Sequence, residues 1–258
     1  MRNPWFSAYR SSPSATRYRL FCFPYAGAGG VIFSKWAELL PKGVEVCAIE
    51  LPGRSFRINE PPISRLASLV SALVDGMAPL LNPAFGFYGH SFGALVAFEV
   101  ARELRRKRLN TPNLLICGAS RAPHCGLDRP PFHHLPDDEF LAASGRHYGT
   151  TIDRRLLAVD EIRQMIVLAM RADLTVSESY RYYEDPPFEF PISIVAGRSD
   201  GSTSDTSLKA WAQHTEATFE LTYLEGGHLF LNDCAVDLMK IVSMAITSTI
   251  EPRGRAEA

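Results

Sequence analysis

A strand, a serine between two glycines and a helix follow one another in the middle of this chain. Residues 84–96 read Ala-Phe-Gly-Phe-Tyr-Gly-His-Ser-Phe-Gly-Ala-Leu-Val, so that Ser91 is the centre of a G-x-S-x-G motif. The turn from strand to helix is tight, and Gly89 and Gly93 leave space where a Cβ would clash with backbone. The helix start brings free N–H groups and the positive end of the helix dipole towards Ser91. Ser91 is therefore a candidate nucleophile; a helix N-cap in a glycine-rich turn is the alternative.

Short apolar runs alternate with longer segments of helical period on both sides of this turn. The predicted strands are Tyr18–Phe23, Val44–Leu51, Ala84–Tyr88, Leu114–Ala119, Ile192–Ala196 and Phe219–Leu224, with Trp5–Tyr9 as a weaker edge candidate. The predicted helices are Val31–Leu40, Ser64–Leu81, Phe92–Lys107, Ser207–His214 and Ala235–Ile250. This alternation is typical of βαβ units. We expect a single domain over residues 1–258 with the α/β-hydrolase fold, a mostly parallel central sheet flanked by helices.

Residues 121–191 interrupt the alternation. Prolines stand at positions 123, 130, 131 and 136, and helical patterns then follow without a strand, at about 137–145, 159–172 and 174–183. An all-helical insertion between two core strands is typical of a lid over the carboxyl edge of the sheet, where α/β sites lie. We therefore predict a helical lid at 121–191. A second helical layer without a gating role is the alternative.

The composition excludes several classes of protein. The formal net charge is −1, so neither a nucleic acid nor a membrane is expected as a partner. The five cysteines are scattered and form no C-x-x-C pair, which favours buried thiols in a reducing compartment over a disulfide framework or a zinc site. No apolar signal segment follows residues 1–5, and no stretch is long enough to cross a bilayer. We expect a cytoplasmic monomer that needs no metal and no cofactor.

A serine hydroxyl needs a neighbouring base, and in this fold the partners follow in the chain order Ser, acid, His. Two of the seven histidines lie beyond the predicted lid. His228 stands in a loop between the last strand and the last helix, whereas His214 lies in a helical pattern on a face that we expect to be solvated. His228 is therefore the candidate base. For the acid, Asp200 follows the strand at 192–196 and can bond the second ring nitrogen of the base; Asp205, which resembles a helix N-cap, is the alternative.

A tetrahedral intermediate needs backbone N–H donors for its oxyanion. One should be that of Phe92, the residue after the nucleophile, and the other should come from the loop after an early strand. That loop reads Phe23-Pro-Tyr-Ala-Gly-Ala-Gly-Gly30, in which Ala26 is the first candidate and Gly27 the second. The same loop, with Glu50 about 20 residues further on, also suggests a dinucleotide site. That interpretation lacks the third glycine and leaves the serine, acid and histidine unexplained.

Other features have mostly structural explanations. His133 and His134 lack a nearby carboxylate or cysteine to complete a metal site, so they are interpreted as loop histidines. Residues 102–108 form a basic run at the end of a helix, where they compensate the helix dipole; docking of an acidic partner is the alternative. A further group in the predicted lid either lines an acyl channel or packs between helices. It consists of Met165, Met170 and the cluster Tyr180–Tyr183.

Several stretches spread over nearly the whole chain are specific when taken together. They are Pro4-Trp-Phe6, Leu20-Phe-Cys-Phe-Pro-Tyr-Ala-Gly27, Glu50-Leu-Pro-Gly-Arg54, Tyr88-Gly-His-Ser-Phe-Gly-Ala94, Leu135-Pro-Asp-Asp-Glu-Phe140, Arg171-Ala-Asp-Leu174, Tyr180-Arg-Tyr-Tyr-Glu-Asp-Pro-Pro187 and Gly227-His-Leu-Phe230. With them the chain resembles the type II (external) thioesterases of polyketide and nonribosomal peptide synthesis, and also the free-standing medium-chain acyl carrier protein hydrolases. Two positions depart from the family pattern. Tyr25 stands where many members have a histidine, and Gly201 stands where many have a proline after the acid.

The resemblance implies hydrolysis of acyl thioesters on the phosphopantetheine arm of acyl- or peptidyl-carrier domains, which clears stalled or wrongly primed carriers. It implies no cofactor. The site residues that it implies are Ser91 as nucleophile, Asp200 as acid, His228 as base and the backbone donors of Ala26 and Phe92. Three other hypotheses remain at this point. They are a small-molecule carboxylester hydrolase on the same triad, a non-catalytic ligand-binding module, and an offloading domain cut from a synthase.

Overall fold

The computed structural model describes residues 3–10 and 16–250 of the chain. The strands in this part are β1 (Phe6–Tyr9), β2 (Tyr18–Phe23), β3 (Val44–Ile49), β4 (Phe85–His90), β5 (Leu115–Gly118), β6 (Ile192–Gly197) and β7 (Phe219–Leu224). They form one sheet in the order β1-β3-β2-β4-β5-β6-β7. β1 runs antiparallel to β3, and every other neighbouring pair is parallel. The expected mostly parallel sheet is confirmed, and the weak candidate at residues 5–9 is an edge strand.

The helices in the same residues are α1 (Trp36–Leu39), α2 (Leu66–Met77), α3 (Phe92–Arg106), α4 (Asp137–Tyr148), α5 (Arg154–Leu157), α6 (Asp160–Glu178), α7 (Asp205–Lys209), α8 (Phe230–Asp233) and α9 (Ala235–Ile250). Helix α2 ends earlier than predicted, because Pro79 has no N–H to continue the helical hydrogen bonds, and a 3-10 turn at Ala78–Leu80 completes the segment. The predicted helices at 31–40 and 207–214 also divide into an α-helical part and a 3-10 part. No helix among residues 3–10 and 16–250 is long and apolar enough to span a membrane.

Apolar side chains cover both faces of the sheet. On one face, α2 and α3 pack over strand residues that include Phe21 and Phe87, whose rings meet edge to face at 5.9 Å. On the other face, α1 and α9 pack over residues that include Tyr88, whose ring lies 4.8 Å from that of Trp36. Strands β2 to β6 are buried along nearly their whole length. This burial explains why their sequences are continuous apolar runs and not alternating patterns.

The cysteines are free thiols, and three of them, Cys22, Cys47 and Cys117, are buried in the sheet. Burial raises the pKa of the Cys47 thiol to about 12 and raises the pKa values of the other two well above the usual value. These thiols therefore serve as small apolar side chains and are not nucleophiles.

Helices α4, α5 and α6 lie in the connection between β5 and β6. They have an apolar cluster of their own, which includes Phe132, Phe140 and Met170. Ala26, in the loop after β2, packs against this cluster. Since β2 ends at Phe23, the cluster lies at the carboxyl edge of the parallel strands. The boundaries 121–191 for a lid and 1–258 for a single domain stay predictions.

Candidate active site

Ser91 is the single residue between the last residue of β4 and the first residue of α3. Its φ and ψ are +55° and −117°, a backbone conformation that L-residues adopt only under strain. Its amide donates to Gly118 O at 2.8 Å. A Cβ on Gly89 would lie 2.4 Å from Gly93 O, and one on Gly93 would lie 2.2 Å from Phe23 O. Backbone crowding on both sides therefore explains why the serine stands between two glycines.

His228 connects the serine to a carboxylate. It lies in the loop between β7 and α8, and its Nε2 is 2.8 Å from Ser91 Oγ. Its Nδ1 is 3.0 Å from Asp200 Oδ2, and the two side chains of this pair are 5% and 1% exposed. A carboxylate at Nδ1 keeps the proton on that nitrogen, which leaves the Nε2 lone pair facing the serine hydroxyl. The geometry suits transfer of a proton from Ser91 to His228.

Asp200 is held by Ser202, which the sequence did not single out. Ser202 donates to Asp200 Oδ1 twice, from its amide at 2.9 Å and from its hydroxyl at 2.6 Å. The same hydroxyl oxygen lies 2.8 Å from His228 Nδ1. Burial raises the pKa of Asp200, but the hydrogen bonds from His228 and Ser202 and the His228 charge outweigh it and hold the pKa below its usual value. Ser202 thus anchors the acid through two hydrogen bonds.

The two alternatives from the sequence lie elsewhere. Asp205 is an exposed side chain that bonds Tyr223 Oη and pairs with Lys209 Nζ at 2.7 Å. The N-cap of α7 is the preceding residue, Ser204. The expected solvated position of His214 is wrong. It is buried against Phe98, with ring centroids 5.0 Å apart, because the 3-10 turn at residues 210–214 faces the core.

A second buried histidine supports the loop of the candidate base. His90, the last residue of β4, donates from Nε2 to His228 O at 2.7 Å and accepts from Tyr88 Oη at Nδ1, at 3.0 Å. Burial lowers the pKa of His90 to about 3. His90 is therefore neutral near pH 7, with its proton on Nε2. The residue pairs β4 with the His228 loop, a long-range contact without a local sequence signal.

The candidate oxyanion donors, Ala26 and Phe92, each line a cavity that Ser91 also lines. Phe92 is the first residue of α3, so its N–H has no partner inside the helix. Ala26 lines a cavity together with Ser91, and no residue in 3–10 or 16–250 accepts a hydrogen bond from its amide. The N–H of Gly27, the second candidate from the sequence, donates instead to Asp173 Oδ2 at 2.8 Å. Of the two loop donors, Ala26 is therefore the one left free for a substrate.

Two cavities meet at Ser91, Tyr148 and His228. One has a volume of about 50 Å³ and carries polar groups, among them Arg121 and the hydroxyls of Ser177, Tyr180 and Thr203. The other has a volume of about 20 Å³ and is lined largely by apolar groups, among them Ala26, Met170, Leu174 and Leu229. The ring of Tyr148, the last residue of α4, lies 4.7 Å from the His228 ring. Its hydroxyl accepts from Arg129 Nη2 at 2.7 Å. Tyr148 thus covers the candidate base where the two cavities join.

The other sequence features have partners within the protein. His133 Nδ1 lies 2.7 Å from Glu178 Oε2, and the described residues contain no group of three or more His, Cys, Asp or Glu side chains that could hold a metal ion. In the basic run at 102–108, Arg102 pairs with Glu99 at 2.7 Å and with Asp185 at 3.1 Å. Such internal pairing leaves less charge for an acidic partner.

Glu50 has a structural role at the start of the first 3-10 turn. It accepts the N–H of Gly30 at 3.2 Å and the hydroxyl of Ser7 at 2.8 Å. The carboxylate that suggested a dinucleotide site therefore faces the protein interior, where it is 3% exposed. This burial removes it from any ribose that the loop could approach.

Comparison with known proteins gives a consistent result. The family model described as "Thioesterase domain" matches residues 18–247. Gramicidin S biosynthesis protein GrsT of Aneurinibacillus migulanus is 35% identical over 251 residues, which are 97% of each chain. Among solved structures, the RedJ thioesterase from the prodiginine biosynthetic pathway in Streptomyces coelicolor is 32% identical, with a TM-score of 0.83 over 91% of this chain and 92% of that one. The type II thioesterase BorB from the borrelidin biosynthetic cluster is 27% identical, with a TM-score of 0.82 over 96% and 98% of the two chains.

Proposed function

The chain belongs to the thioesterase family, and we propose that it is a serine thioesterase that hydrolyses acyl groups from the phosphopantetheine arm of carrier proteins. Its role in this proposal is editing or housekeeping in polyketide or nonribosomal peptide synthesis, in the cytoplasm. The similarity to GrsT, to RedJ and to the type II thioesterase BorB supports this substrate class. One observation carries the chemistry: the chain of contacts from Ser91 Oγ through His228 to Asp200, at 2.8 and 3.0 Å, lies where two cavities meet.

The first half of the proposed reaction forms an acyl-enzyme. Ser91 Oγ attacks the thioester carbonyl carbon while His228 Nε2 takes the hydroxyl proton. Negative charge then develops on the carbonyl oxygen, which the amides of Ala26 and Phe92 stabilise. The C–S bond breaks as this intermediate collapses, and His228 returns its proton to the leaving pantetheine sulfur. A thiolate is a good leaving group, so this protonation is less demanding than in amide hydrolysis.

The second half releases the acid. Water attacks the acyl group on Ser91 while His228 takes one of its protons. The same two amides stabilise the second oxyanion, and its collapse breaks the bond between the acyl carbon and Ser91 Oγ. His228 gives the proton back to the serine oxygen. Asp200 keeps the imidazole oriented through both halves and stabilises its charged form.

The two cavities suit the two parts of such a substrate. The apolar cavity, with Met170 and Leu174, suits the acyl chain. The larger cavity offers hydroxyls and a cation, which suit the amide-containing pantetheine arm. In this proposal residues 121–191 act as a lid, since α4 and α6 line both cavities. The carboxylester hydrolase considered from the sequence is not favoured, because the relatives are named as thioesterases and biosynthesis proteins.

A panel of substrates tests the proposal. Acyl-loaded carrier proteins with acyl chains of increasing length are incubated with the enzyme, and release of the free carrier thiol is followed. p-Nitrophenyl esters with the same acyl groups form the matched set, and Ser91→Ala is the inactive control. We expect hydrolysis of carrier thioesters that Ser91→Ala abolishes. Efficient cleavage of the oxygen esters alone would contradict the thioesterase assignment.

A further inference from the structure

Two sequence stretches outside the serine site meet at the loop that carries Ala26. Arg54 belongs to the loop after β3, and Asp173 lies on α6. Asp173 Oδ2 accepts the N–H of Gly27 at 2.8 Å and pairs with Arg54 Nη1, while Arg54 Nη2 donates to Asp173 Oδ1 at 3.0 Å. The Arg54 and Asp173 side chains are 7% and 2% exposed. A buried carboxylate therefore joins a backbone amide of the loop to a buried arginine.

Gly27 also fits closely against α6. Its φ is +81°, and a Cβ at this position would lie 2.2 Å from Met170 Cγ. Met170 and Asp173 are three residues apart on one face of the helix. At the far end of the loop, Glu50 accepts the N–H of Gly30 at 3.2 Å. The loop is thus held at two points, and the residue held by α6, Gly27, is the one next to Ala26.

Two hydrogen bonds fix the peptide planes on either side of Ala26. The N–H of Ala26 shares a peptide plane with the carbonyl of Tyr25, and that carbonyl accepts from Ala28 N at 3.0 Å. The following plane holds the N–H of Gly27, which Asp173 binds. With both planes held, the direction of the Ala26 N–H is determined. A donor aimed in advance at a developing oxyanion is worth far more than one that must rotate into place.

We propose that Asp173, itself held by Arg54, is a positioning residue that fixes the Ala26 amide for the oxyanion. The inference rests on the proposed function, because it assigns a role within that reaction. The arginine holds the carboxylate in place through two hydrogen bonds, and a buried carboxylate without a partner is strongly disfavoured. Helix α6 cannot leave the loop without separating two buried charges. The lid helix and the oxyanion loop therefore act as one unit.

Kinetic measurements on three variants test this role. Asp173→Asn leaves Arg54 without its charged partner. The double variant Arg54→Met/Asp173→Leu removes both charges and the acceptor for Gly27, and it avoids an unpaired buried charge. Glu45→Gln is the matched control, because Glu45 is a buried carboxylate paired with Arg19 at 2.7 Å at the opposite, amino end of β3. For each protein, kcat and KM for p-nitrophenyl acetate and for an acyl-carrier thioester are measured together with the melting temperature. Inhibition by an alkyl boronic acid, whose serine adduct is a charged tetrahedral mimic, is measured alongside.

The expected result separates positioning from folding. In the double variant we expect kcat to fall by about 10- to 100-fold, less than for outright loss of an oxyanion donor. KM should change little, and the boronic acid should bind more weakly by the same factor as kcat falls. Glu45→Gln should lose stability but keep kcat and the affinity for the boronic acid. A folded double variant with kcat and boronic acid affinity within twofold of the wild type would overturn the inference.

The ester arm keeps the two proposals distinguishable. If the wild type cleaves p-nitrophenyl acetate but no carrier thioester, the proposed substrate class fails. The positioning role is still decided in that case, because the same variants are compared on the ester and on the boronic acid. If the wild type cleaves both substrates and the folded double variant retains full activity, the positioning role fails and the proposed function stands.

Discussion

Replacing each of two nearby aspartates by asparagine tests the assignment of the acid. Asp200→Asn keeps the size of the side chain but removes the charge that faces His228 Nδ1 at 3.0 Å. The new amide group can donate to that nitrogen, which would move the imidazole proton to Nε2. A protonated Nε2 cannot accept the proton of Ser91. Asp205→Asn makes the same chemical change at an exposed residue that contacts Tyr223 and Lys209.

The expected decreases in kcat of Asp200→Asn and Asp205→Asn differ by orders of magnitude. Loss of a triad carboxylate with intact geometry lowers kcat by about 10⁴-fold in the best-known serine protease, which corresponds to about 5.5 kcal/mol. A thiolate leaves more easily than an amine, so we expect a decrease of about 10³-fold for Asp200→Asn, with KM nearly unchanged. Asp205→Asn should keep kcat within about twofold, because exposed ion pairs contribute little.

Steady-state hydrolysis of one acyl-carrier thioester by both variants supplies the measurement. The melting temperature of each variant shows that it is folded, and active-site titration with a fluorophosphonate gives the concentration of competent enzyme. If Asp205→Asn loses activity and Asp200→Asn keeps it, the acid is wrongly assigned. If both keep it, a hydrogen-bonded Ser202 and His228 pair suffices and the triad argument fails.

Ser202→Ala removes a hydroxyl that bonds both Asp200 and His228. We expect kcat to fall by about tenfold, or about 1.4 kcal/mol, at constant KM. Ser202→Thr should restore most of the activity, and a slow Ser202→Thr variant would contradict a role for the hydroxyl. Burial lowers the pKa of His214 to about 4. Between about pH 6.5 and pH 4 the unfolded chain therefore binds a proton at His214 and the folded chain does not. The free energy of unfolding consequently decreases as the pH falls from about 6.5 towards 4. The free energy of unfolding in urea is measured at pH 7 and pH 5 for the wild type and for His214→Gln. Between the two pH values the wild type should lose about 2 kcal/mol more than the variant, and equal losses would refute the lowered pKa of His214.

Local patterns were sufficient to predict the sheet and the serine turn. The strands are buried on both faces, so their sequences are apolar throughout, and the glycines around Ser91 are required by backbone contacts within a few residues. The order of the serine, acid and base along the chain also follows from the fold, which is why Ser91, Asp200 and His228 could be named together. Their assignment as a catalytic triad stays a prediction.

Long-range pairs could not be predicted in the same way. Ser202, in the turn after Asp200, and His90, at the end of β4, contact the candidate triad only in the folded protein. Arg54 and Asp173 are 119 residues apart, and nothing in the local sequence of either residue indicates that they pair. His214 was misplaced because a helical pattern does not show which face of a short 3-10 turn meets the core.

Trapping of the acyl-enzyme shows whether Ser91 is the nucleophile. The enzyme is mixed with an acyl-loaded carrier protein, the reaction is stopped with acid within the first turnover, and the proteolytic peptides are analysed by mass spectrometry. We predict a mass increase equal to the acyl group on the peptide that contains Ser91 in the wild type, and its absence in Ser91→Ala. An acyl group on another residue, or a thioester hydrolysed at the wild-type rate by Ser91→Ala, would show that Ser91 is not the nucleophile.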